Sequence, residues 1–387
     1  MTEEVLFQIT KDKLETGLRG FPVGYCPTST VDPMKGLSYM GRPIIELASK
    51  NPEAVIYLLM HGKEGTAPEV KDYFSKLNVH ASLQKETILA ISKLPHKGHP
   101  TKLFTAALLI VGMLESEGDY RKDCERLIAK IPHIAALVIN HHASWGPTPS
   151  SNPSLGYMEN FTAMLNVPGK NHSHLAEAFK LFNVLHYDHG GGNLSTFVGK
   201  AVASGLEDMY GSIASAMCAL AGPRHGRANQ DCLEFVEDVL KEVGENATAA
   251  QVEKLIRDRL KNNKLVFGFG HAVLRVEDPR ATVLYNYLKA HFSGHPLVKV
   301  GLLLRSEGAK VLSENPKISD PHPNVDAVSG TLLAASGFDY PQYFTVLFGL
   351  SRIVGIARQI VYERVEARGG KGTPIVRPKY LYSGPSV

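Results

Sequence analysis

The sequence has few of the features that mark secreted, membrane or nucleic-acid-binding proteins. Four cysteines occur in 387 residues and none forms a CxxC pair, so neither a disulfide framework nor a zinc knuckle is predicted, and a reducing compartment is favoured. The longest apolar run, residues 104–114, is too short to span a bilayer. The net charge is +4 without a run of lysine and arginine, which suits anionic small molecules better than nucleic acid.

The N-terminal residues also lack a recognisable targeting pattern. The first eight, MTEEVLFQ, are acidic and carry neither the apolar core of a signal peptide nor the arginine-rich composition of a transit peptide. We therefore predict a cytoplasmic location, and neither a membrane nor a nucleic acid as a partner.

Helical spacing of apolar residues dominates the chain after about residue 45. Residues 1–45 alternate short apolar pairs with glycine and proline, a pattern typical of short strands. Later segments, such as the one from Pro341 to Ala367, read as helices, and Pro132 is expected to kink or split one of them. We predict an all-α fold with a minor β arm near the N-terminus. The length allows two domains or one large helical body.

Histidines next to glycines are the most informative feature. His186 and His189 precede three glycines, and His225 lies between Arg224 and Arg227. A long apolar stretch between the two clusters predicts one helical span with a cluster at each end. Fixed cations keep an imidazole neutral, so we expect the flanking arginines to make His225 a hydrogen-bond donor to developing negative charge.

Further candidate side chains follow along the chain. His271 ends a glycine-rich loop, and Asp326 lies at the front of a predicted helix, where the macrodipole favours a carboxylate. Several arginines could bind carboxylates with two parallel hydrogen bonds. Together these residue types suit deprotonation of a carbon acid and binding of a polycarboxylate. The arginines are Arg275, Arg280, Arg352 and Arg377.

Other interpretations remain open from the residues alone. His186 and His189 could bind a metal with Asp188 or Asp326, although the sequence has no HExxH motif and no cysteine ligand. The loop GFGHAV invites a nucleotide-binding interpretation, but it lacks a preceding βαβ unit and the acidic residue at the Rossmann spacing. A helical scaffold without catalysis would leave the histidines beside glycines unexplained.

Five sequence segments occur in the order and spacing seen in citrate synthases. They are LHYDHGGGN, LAGPRHGRANQ, FGFGHAVLRVEDPRA, PNVDAVSG and GLSRIVG followed by RPK. The segments DCERLIAKIPHIAA and ENFTAML also resemble that family, so the similarity covers nearly the whole chain. Arg224 and Arg227 depart from the family pattern, which often has leucine and glycine there.

The resemblance implies a reaction and three catalytic residues. Acetyl-CoA, oxaloacetate and water would give citrate and CoA, with 2-methylcitrate synthesis from propionyl-CoA as the alternative. Asp326 matches the base that deprotonates the acetyl methyl group. His225 matches the donor that stabilises the enol oxygen. His271 matches the acid on the oxaloacetate carbonyl.

The resemblance also implies binding residues, partners and domains. Oxaloacetate would be bound by His189, Arg280, Arg352 and Arg377, of which the last reaches into the partner's site in a homodimer. CoA would be bound by Arg275 and by the loop Val266, Phe267, Gly268, Phe269 and Gly270. No metal and no cofactor is implied, because the CoA thioester is a substrate. Residues 1–224 and 336–387 would form a large helical domain and residues 225–335 a small one that closes on oxaloacetate.

Overall fold

The structure, a computed structural model, describes residues 5–169 and 173–384. Helices form most of it, which confirms the all-α prediction. In chain order they are α1 (Ile44–Leu47), α2 (Pro52–His61), α3 (Ala67–Asn78), α4 (Lys85–Ile91), α5 (Pro100–Glu115), α6 (Tyr120–Ala143), α7 (Tyr157–Met164) and α8 (Leu175–His186). They continue as α9 (Leu194–Ser204), α10 (Met209–Leu220), α11 (Ala228–Val243), α12 (Ala249–Lys261), α13 (Pro279–His291), α14 (Pro296–Ser313), α15 (Asp326–Ala335) and α16 (Phe344–Val361).

A small antiparallel sheet near the N-terminus confirms the predicted β arm. Its strands are β1 (Ser29–Asp32), β2 (Gly36–Tyr39) and β3 (Arg42–Pro43), in that order across the sheet. The Asp32 side chain accepts hydrogen bonds from the backbone of Met34 and Lys35, which fixes the turn between β1 and β2. The buried Tyr39 donates its hydroxyl to the carbonyl of Val184, 3.1 Å away, so the arm is joined to α8.

Local sequence explains where many of the helices begin and end. Helix α2 begins with Pro52, which needs no backbone partner at that position, and ends at Gly62, whose φ of 73° is left-handed. Thr248 and Gln251 form a capping box at the start of α12, in which each side chain is bonded to the other residue's backbone. Such signals lie within a few residues, which is why they can be recognised in the sequence.

Helix α6 passes through Pro132 without splitting, contrary to one of the predicted outcomes. A proline leaves the carbonyl four residues earlier without its helical donor. Here the Tyr157 hydroxyl donates to that carbonyl, of Ile128, at 2.7 Å. A side chain from α7 thus supplies the missing hydrogen bond, and the helix continues to Ala143.

Helix α16 is the centre of the core. The segment Pro341–Gly370, which contains it, is the one helix in the described residues that is long and apolar enough to cross a membrane, and 94% of its apolar window is buried. Helices α2, α5, α6, α8, α9 and α10 all pack against it. A helix that is apolar on every side and covered by other helices is a core helix.

Residues 194–220 form two antiparallel helices rather than the predicted single span. Helix α9 ends at Ser204, and α10 begins at Met209 after its N-cap Asp208 accepts a hydrogen bond from Gly211. A small-residue face lets the pair approach closely, since a Cβ on Gly199 would lie 3.1 Å from that of Ala216. The hairpin returns the chain to the start of α9.

Helices α11 to α15 pack chiefly against one another. The loop before α15 is attached to the loop before α13: Gly270 donates to the carbonyl of His322 at 3.0 Å, and Asn324 donates to the carbonyl of Gly268 at 2.9 Å. The glycine-rich loop that ends at His271 and the loop before Asp326 therefore form one unit.

Candidate active site

Three of the four predicted histidines, His189, His225 and His271, lie with Asp326 and two of the arginines at one cleft. The ring centroids of His189 and His271 are 5.3 Å apart, and Arg280 Nη2 lies 3.3 Å from Nε2 of His189. Arg280 and Arg352 both act electrostatically on the carboxyl of Asp326. The residues come from distant parts of the chain, and their assembly depends on packing.

A close contact joins the glycine-rich loop that ends at His271 to the start of α15, where Asp326 lies. Gly268 has a φ of +82°, and a Cβ built on it would lie 2.6 Å from the Cβ of Ala327. Only glycine combines that conformation with so close an approach. Asn324 then donates its side-chain amide to the carbonyl of Gly270 at 2.9 Å and accepts from the backbone of Asp326 at 3.0 Å.

The proton on His271 is assigned by its hydrogen bonds. The backbone N–H groups of Val273 and Leu274 both donate to Nδ1, at 3.0 Å each. A backbone N–H can only donate, so Nδ1 is unprotonated and Nε2 carries the hydrogen. Burial, and then the charge of Arg280, lowers the pKa of His271. The ring is therefore a neutral donor through Nε2.

His225 has the opposite tautomer. The backbone N–H of Ser195, at the start of α9, donates to Nε2 at 3.2 Å, and the Ser195 hydroxyl lies 2.9 Å from the same nitrogen. The hydrogen of the neutral ring is therefore on Nδ1. Burial, and then the charge of Arg352, lowers the pKa of His225 to about 4. The ring is neutral at pH 7 and can donate from Nδ1.

The predicted source of this effect is wrong. Arg224 is exposed, and Arg227 is directed to Asp231 with an N–O distance of 3.7 Å. Neither contributes to the lowered pKa of His225, whereas Arg352 does. Residues next to His225 in the sequence can point away from its ring, whereas Arg352, which is distant in the sequence, acts on it. Adjacency in sequence is therefore a poor guide to which charge lowers the pKa of His225.

His186 is a packed residue and not an exposed functional group. It is buried, its ring stacks on Phe182 with centroids 4.2 Å apart, and its Nδ1 bonds to the Phe182 carbonyl at 2.7 Å. Burial, and then Arg280, lowers its pKa to about 3. In the described residues no group of three histidine, cysteine or carboxylate side chains is arranged to hold a metal ion.

Arg280 is held rigidly at the wall of the cleft. It forms a buried ion pair with Asp278, in which Nη2 lies 2.6 Å from Oδ2 and Nε lies 3.0 Å from Oδ1. Asp278 also caps α13. Burial, and then Arg280 and Arg352, lowers the pKa of His189 well below its usual range. Sequence reasoning did not select Asp278, although its position before the Pro279 that begins α13 is a capping signal.

Arg352 offers a free pair of donors to the cleft. It is 2% exposed, its Nε donates to the His186 carbonyl at 2.9 Å, and its guanidinium lies 4.7 Å from the Phe348 ring centroid. The two terminal nitrogens make no hydrogen bond to any described residue. Burial lowers the pKa of Arg352 to about 10, so it stays charged at pH 7. A buried charge with two unused donors is suited to a carboxylate ligand.

Asp326 is an unpaired carboxyl at the first turn of α15. Its side chain makes no hydrogen bond within the described part of the chain. Burial, opposed by Arg280, raises the pKa of Asp326 to about 6. A carboxylate with a raised pKa and no partner is a stronger base than an ordinary aspartate and is still ionised at pH 7.

Two predicted binding residues are exposed, unlike the buried Arg280 and Arg352. The Arg275 side chain is exposed and donates to carbonyls of its own loop, at 2.6 Å to Leu274 and 3.1 Å to Val273. Arg377 is exposed on the extended C-terminal tail, where the preceding Val376 donates to the Ser204 hydroxyl at 2.9 Å. Within the described residues Arg377 has no hydrogen bond or ion pair.

Sequence comparison identifies related enzymes over nearly the full length. A family model described as the C-terminal domain of citrate synthase matches residues 17–379. A mitochondrial citrate synthase of Daucus carota is 34% identical over 97% of this chain and 83% of its own, and a peroxisomal citrate synthase of Saccharomyces cerevisiae is 32% identical over 94% and 82%. A mitochondrial 2-methylcitrate synthase of Yarrowia lipolytica is 32% identical over 97% and 84%.

Solved structures agree with the sequence matches. Citrate synthase from Thermotoga maritima superposes with a TM-score of 0.81 and 27% identity over 96% of both chains. A citrate synthase from Thermoplasma acidophilum, in a ternary complex with carboxymethyl coenzyme A and oxaloacetate, superposes with a TM-score of 0.82 and 26% identity over 96% of both chains.

The predicted cytoplasmic location is contradicted by these relatives, which are mitochondrial and peroxisomal enzymes. The prediction used only the composition of eight N-terminal residues and the scarcity of cysteine. A scarcity of disulfides indicates a reducing environment but does not distinguish the cytosol from other compartments that lack disulfides.

Proposed function

The chain belongs to the citrate synthase family of Claisen-type condensing acyltransferases, and we propose that it condenses acetyl-CoA with oxaloacetate and hydrolyses citryl-CoA to citrate and CoA. The main support is the unpaired Asp326 carboxylate, with a pKa of about 6, in one cleft with two neutral histidines of opposite tautomer. A base and two oxygen-directed donors are what enol formation and carbonyl addition require.

In the first step, Asp326 takes a proton from the methyl group of the thioester. The electron pair of the broken C–H bond forms a carbon–carbon double bond, and the π pair of the thioester carbonyl moves to its oxygen, which becomes an enol or enolate oxygen. Nδ1–H of His225 donates to that oxygen. Because the ring is neutral and its pKa is about 4, it stabilises the charge without first having to lose a proton.

In the second step, the methyl carbon attacks the oxaloacetate carbonyl carbon. Nε2–H of His271 polarises the carbonyl oxygen and then protonates the alkoxide that forms. Arg280, Arg352 and His189 bind the oxaloacetate carboxylates, for which the free donors of Arg352 are the best support. The oxygen of a water molecule then forms a bond to the thioester carbonyl carbon, the C–S bond breaks, and the leaving sulfur takes up a proton released by the water, which gives citrate and free CoA.

CoA recognition is proposed for the loop Val266 to Gly270 and for Arg275. The loop contacts the front of α15 through Gly268 and Ala327, so a ligand held there would place its thioester near Asp326. We further propose the domain division 1–224 with 336–387 and 225–335, which agrees with the mutual packing of α11 to α15. Closure of the small domain would exclude water from the condensation step.

We propose that the enzyme is a homodimer in which Arg377 reaches the partner's cleft. Apolar side chains are exposed on α5 and on the turn after α9, with Met113 and Leu206 each 76% exposed. An exposed apolar surface of this kind favours a protein partner. The guanidinium of Arg377 has no partner among the described residues, which supports the proposal that it binds a ligand in the cleft of the partner subunit. Sedimentation that gave a monomer at micromolar concentration would contradict this proposal.

The decisive assay is thiol release from acetyl-CoA with and without oxaloacetate. We expect release only with oxaloacetate, no change on adding EDTA, and a loss of about 100-fold or more in Asp326→Asn. Full activity in that variant would remove the base assignment, and loss with EDTA would favour a metal enzyme.

2-Methylcitrate synthesis is the second candidate, because a 2-methylcitrate synthase is among the relatives of 32% identity. The two thioesters differ by one methylene group, which pockets discriminate by only about 10- to 200-fold. The ratio of kcat/KM for acetyl-CoA and propionyl-CoA decides between the two activities.

A further inference from the structure

A buried carboxylate lies immediately behind the residues assigned to oxaloacetate. Asp188, in the turn between α8 and α9, is 0% exposed. Its carboxylate accepts a hydrogen bond from the hydroxyl of Thr28. It also accepts from Gln359 Nε2, at 2.9 and 3.2 Å to its two oxygens, and from the backbone of His189 at 2.9 Å. Both oxygens are thus used by donors from three parts of the chain.

Helix α16 supports this turn on one side. Arg352, Gly355 and Gln359 are three or four residues apart and share a helix face. A Cβ on Gly355 would lie 2.4 Å from the Tyr187 carbonyl oxygen and 2.6 Å from Asp188 Cγ, so only glycine lets the turn rest on the helix. Asp188 therefore lies against α16, between the side chains of Arg352 and Gln359.

The β arm supports the turn on the other side. Besides the contact from Thr28, the hydroxyl of Ser29 accepts from the backbone of Gly190 at 2.7 Å. The hydroxyl of Tyr39 accepts from the backbone of Asp188 at 3.3 Å. Residues from β1, β2 and the segment before them therefore bound the turn that carries His189.

Asp188 also supplies negative charge beside a cation. Arg280 has its own counter-ion in Asp278, whereas Arg352 makes no ion pair within the described residues. Asp188 is the largest favourable electrostatic influence on the buried guanidinium of Arg352. A buried charge without compensation is costly, so the orientation of Arg352 depends on the position of Asp188.

We propose that Asp188, held by Thr28 of the β arm and Gln359 of α16, is a positioning residue that orients His189 and Arg352 for the oxaloacetate carboxylates. It acts through these two residues and does not touch the reacting atoms. The identification of the ligand as oxaloacetate rests on the proposed function. The β arm is thereby a part of the substrate site rather than a separate appendage.

Thr28→Val tests the proposal because valine has the shape of threonine without the hydroxyl. Thr30→Val, two residues along the chain, is the matched control, since Thr30 is exposed and its hydroxyl makes no hydrogen bond to the described residues. Calorimetric titration with oxaloacetate alone gives Kd, and thiol release gives KM and kcat. For Thr28→Val we expect Kd and KM for oxaloacetate to rise about tenfold, because the variant lacks one hydrogen bond to a charged group.

A residue that only positions the oxaloacetate-binding groups should affect the KM for oxaloacetate and leave kcat nearly unchanged. In Thr28→Val, kcat at saturation and KM for acetyl-CoA should change by less than about twofold, and Thr30→Val should match the wild type. Equal affinity in the two valine variants would overturn the proposal. So would a Thr28→Val effect that is shared equally by both substrates and accompanied by a lower Tm, because that result indicates only a structural role.

A double variant tests whether Thr28 acts through Asp188. Asp188→Asn should weaken oxaloacetate binding at least as much as Thr28→Val, and the double variant should be no weaker than Asp188→Asn alone. Additive losses would show that Thr28 acts by another route. If the wild type binds oxaloacetate but releases no thiol, the proposed function fails while calorimetry still decides this inference; if it does not bind oxaloacetate, both fail.

Discussion

Replacing Asp326 with asparagine should stabilise the protein while it abolishes the proposed base. Burial raises the pKa of Asp326 from 3.8 to about 6, after the opposing charges of Arg280 and Arg352 have acted. An acid whose folded pKa is raised resists ionisation in the fold, so the ionised form costs stability. The cost is absent below pH 3.8 and complete above about pH 6.

The magnitude follows from the two pKa values. At about 1.4 kcal/mol for each pH unit, the difference between 3.8 and about 6 corresponds to about 3 kcal/mol at pH 8. At pH 5 the folded carboxyl is mostly protonated, and the same linkage gives about 1.6 kcal/mol. Asparagine has a similar shape and no charge, so Asp326→Asn should gain stability by these amounts, and the gain should grow with pH.

Urea unfolding at pH 5 and pH 8 measures both values. The control is Asp12→Asn, an exposed aspartate near the N-terminus, which we expect to leave the free energy of unfolding unchanged within about 0.5 kcal/mol. A destabilised Asp326→Asn variant, or a gain that does not depend on pH, would refute the argument that desolvation raises the pKa of this carboxyl.

Other predictions concern the same cleft. Because the base must be ionised, kcat/KM should rise with pH around a midpoint of about 6 and fall about tenfold below its plateau at pH 5; a flat profile from pH 5 to 8 would contradict this. His225→Gln should lower kcat by about 100-fold or more. Ser195→Ala should have a much smaller effect, because the backbone N–H of Ser195 still donates to Nε2 of His225 and keeps its tautomer. Equal losses in the two variants would refute the role of this backbone N–H. Gly268→Ala, with φ +82° and a contact of 2.6 Å to Ala327, should reduce stability by about 1–3 kcal/mol in urea unfolding. Arg352→Lys should raise the oxaloacetate KM about tenfold or more, because lysine cannot bind a carboxylate with two parallel hydrogen bonds.

Most of the helices could be predicted because their signals are local. The capping box at Thr248 and the glycine after α2 lie within a few residues of the boundaries they set. The position of Asp326 at the start of a helix was predicted in the same way and is confirmed. The continuity of α6 through Pro132 was not predictable, because it depends on a tyrosine hydroxyl from another helix.

The catalytic candidates could be selected from sequence, but the way they meet could not. A single helix over residues 194–220 would have separated the two histidine clusters by about 40 Å, at 1.5 Å for each residue. The α9–α10 hairpin instead brings His225 to the backbone of Ser195. The local signals of the break, Gly205 after α9 and the N-cap Asp208 before α10, are present in the sequence, but the antiparallel packing of the two helices is decided by the tertiary structure.

The sequence by itself determined the helical class and a set of candidate residues, which follow from residue types and from spacing along the chain, and its resemblance to a family implied which of the candidates are catalytic. Only the tertiary structure decided which charges and which burial shift the pKa values of these residues. Arg352, and not the neighbouring Arg224 or Arg227, influences His225, and desolvation raises the pKa of Asp326. Burial and the distances between charges depend on which surfaces pack together, and neither quantity is a property of neighbours in the chain.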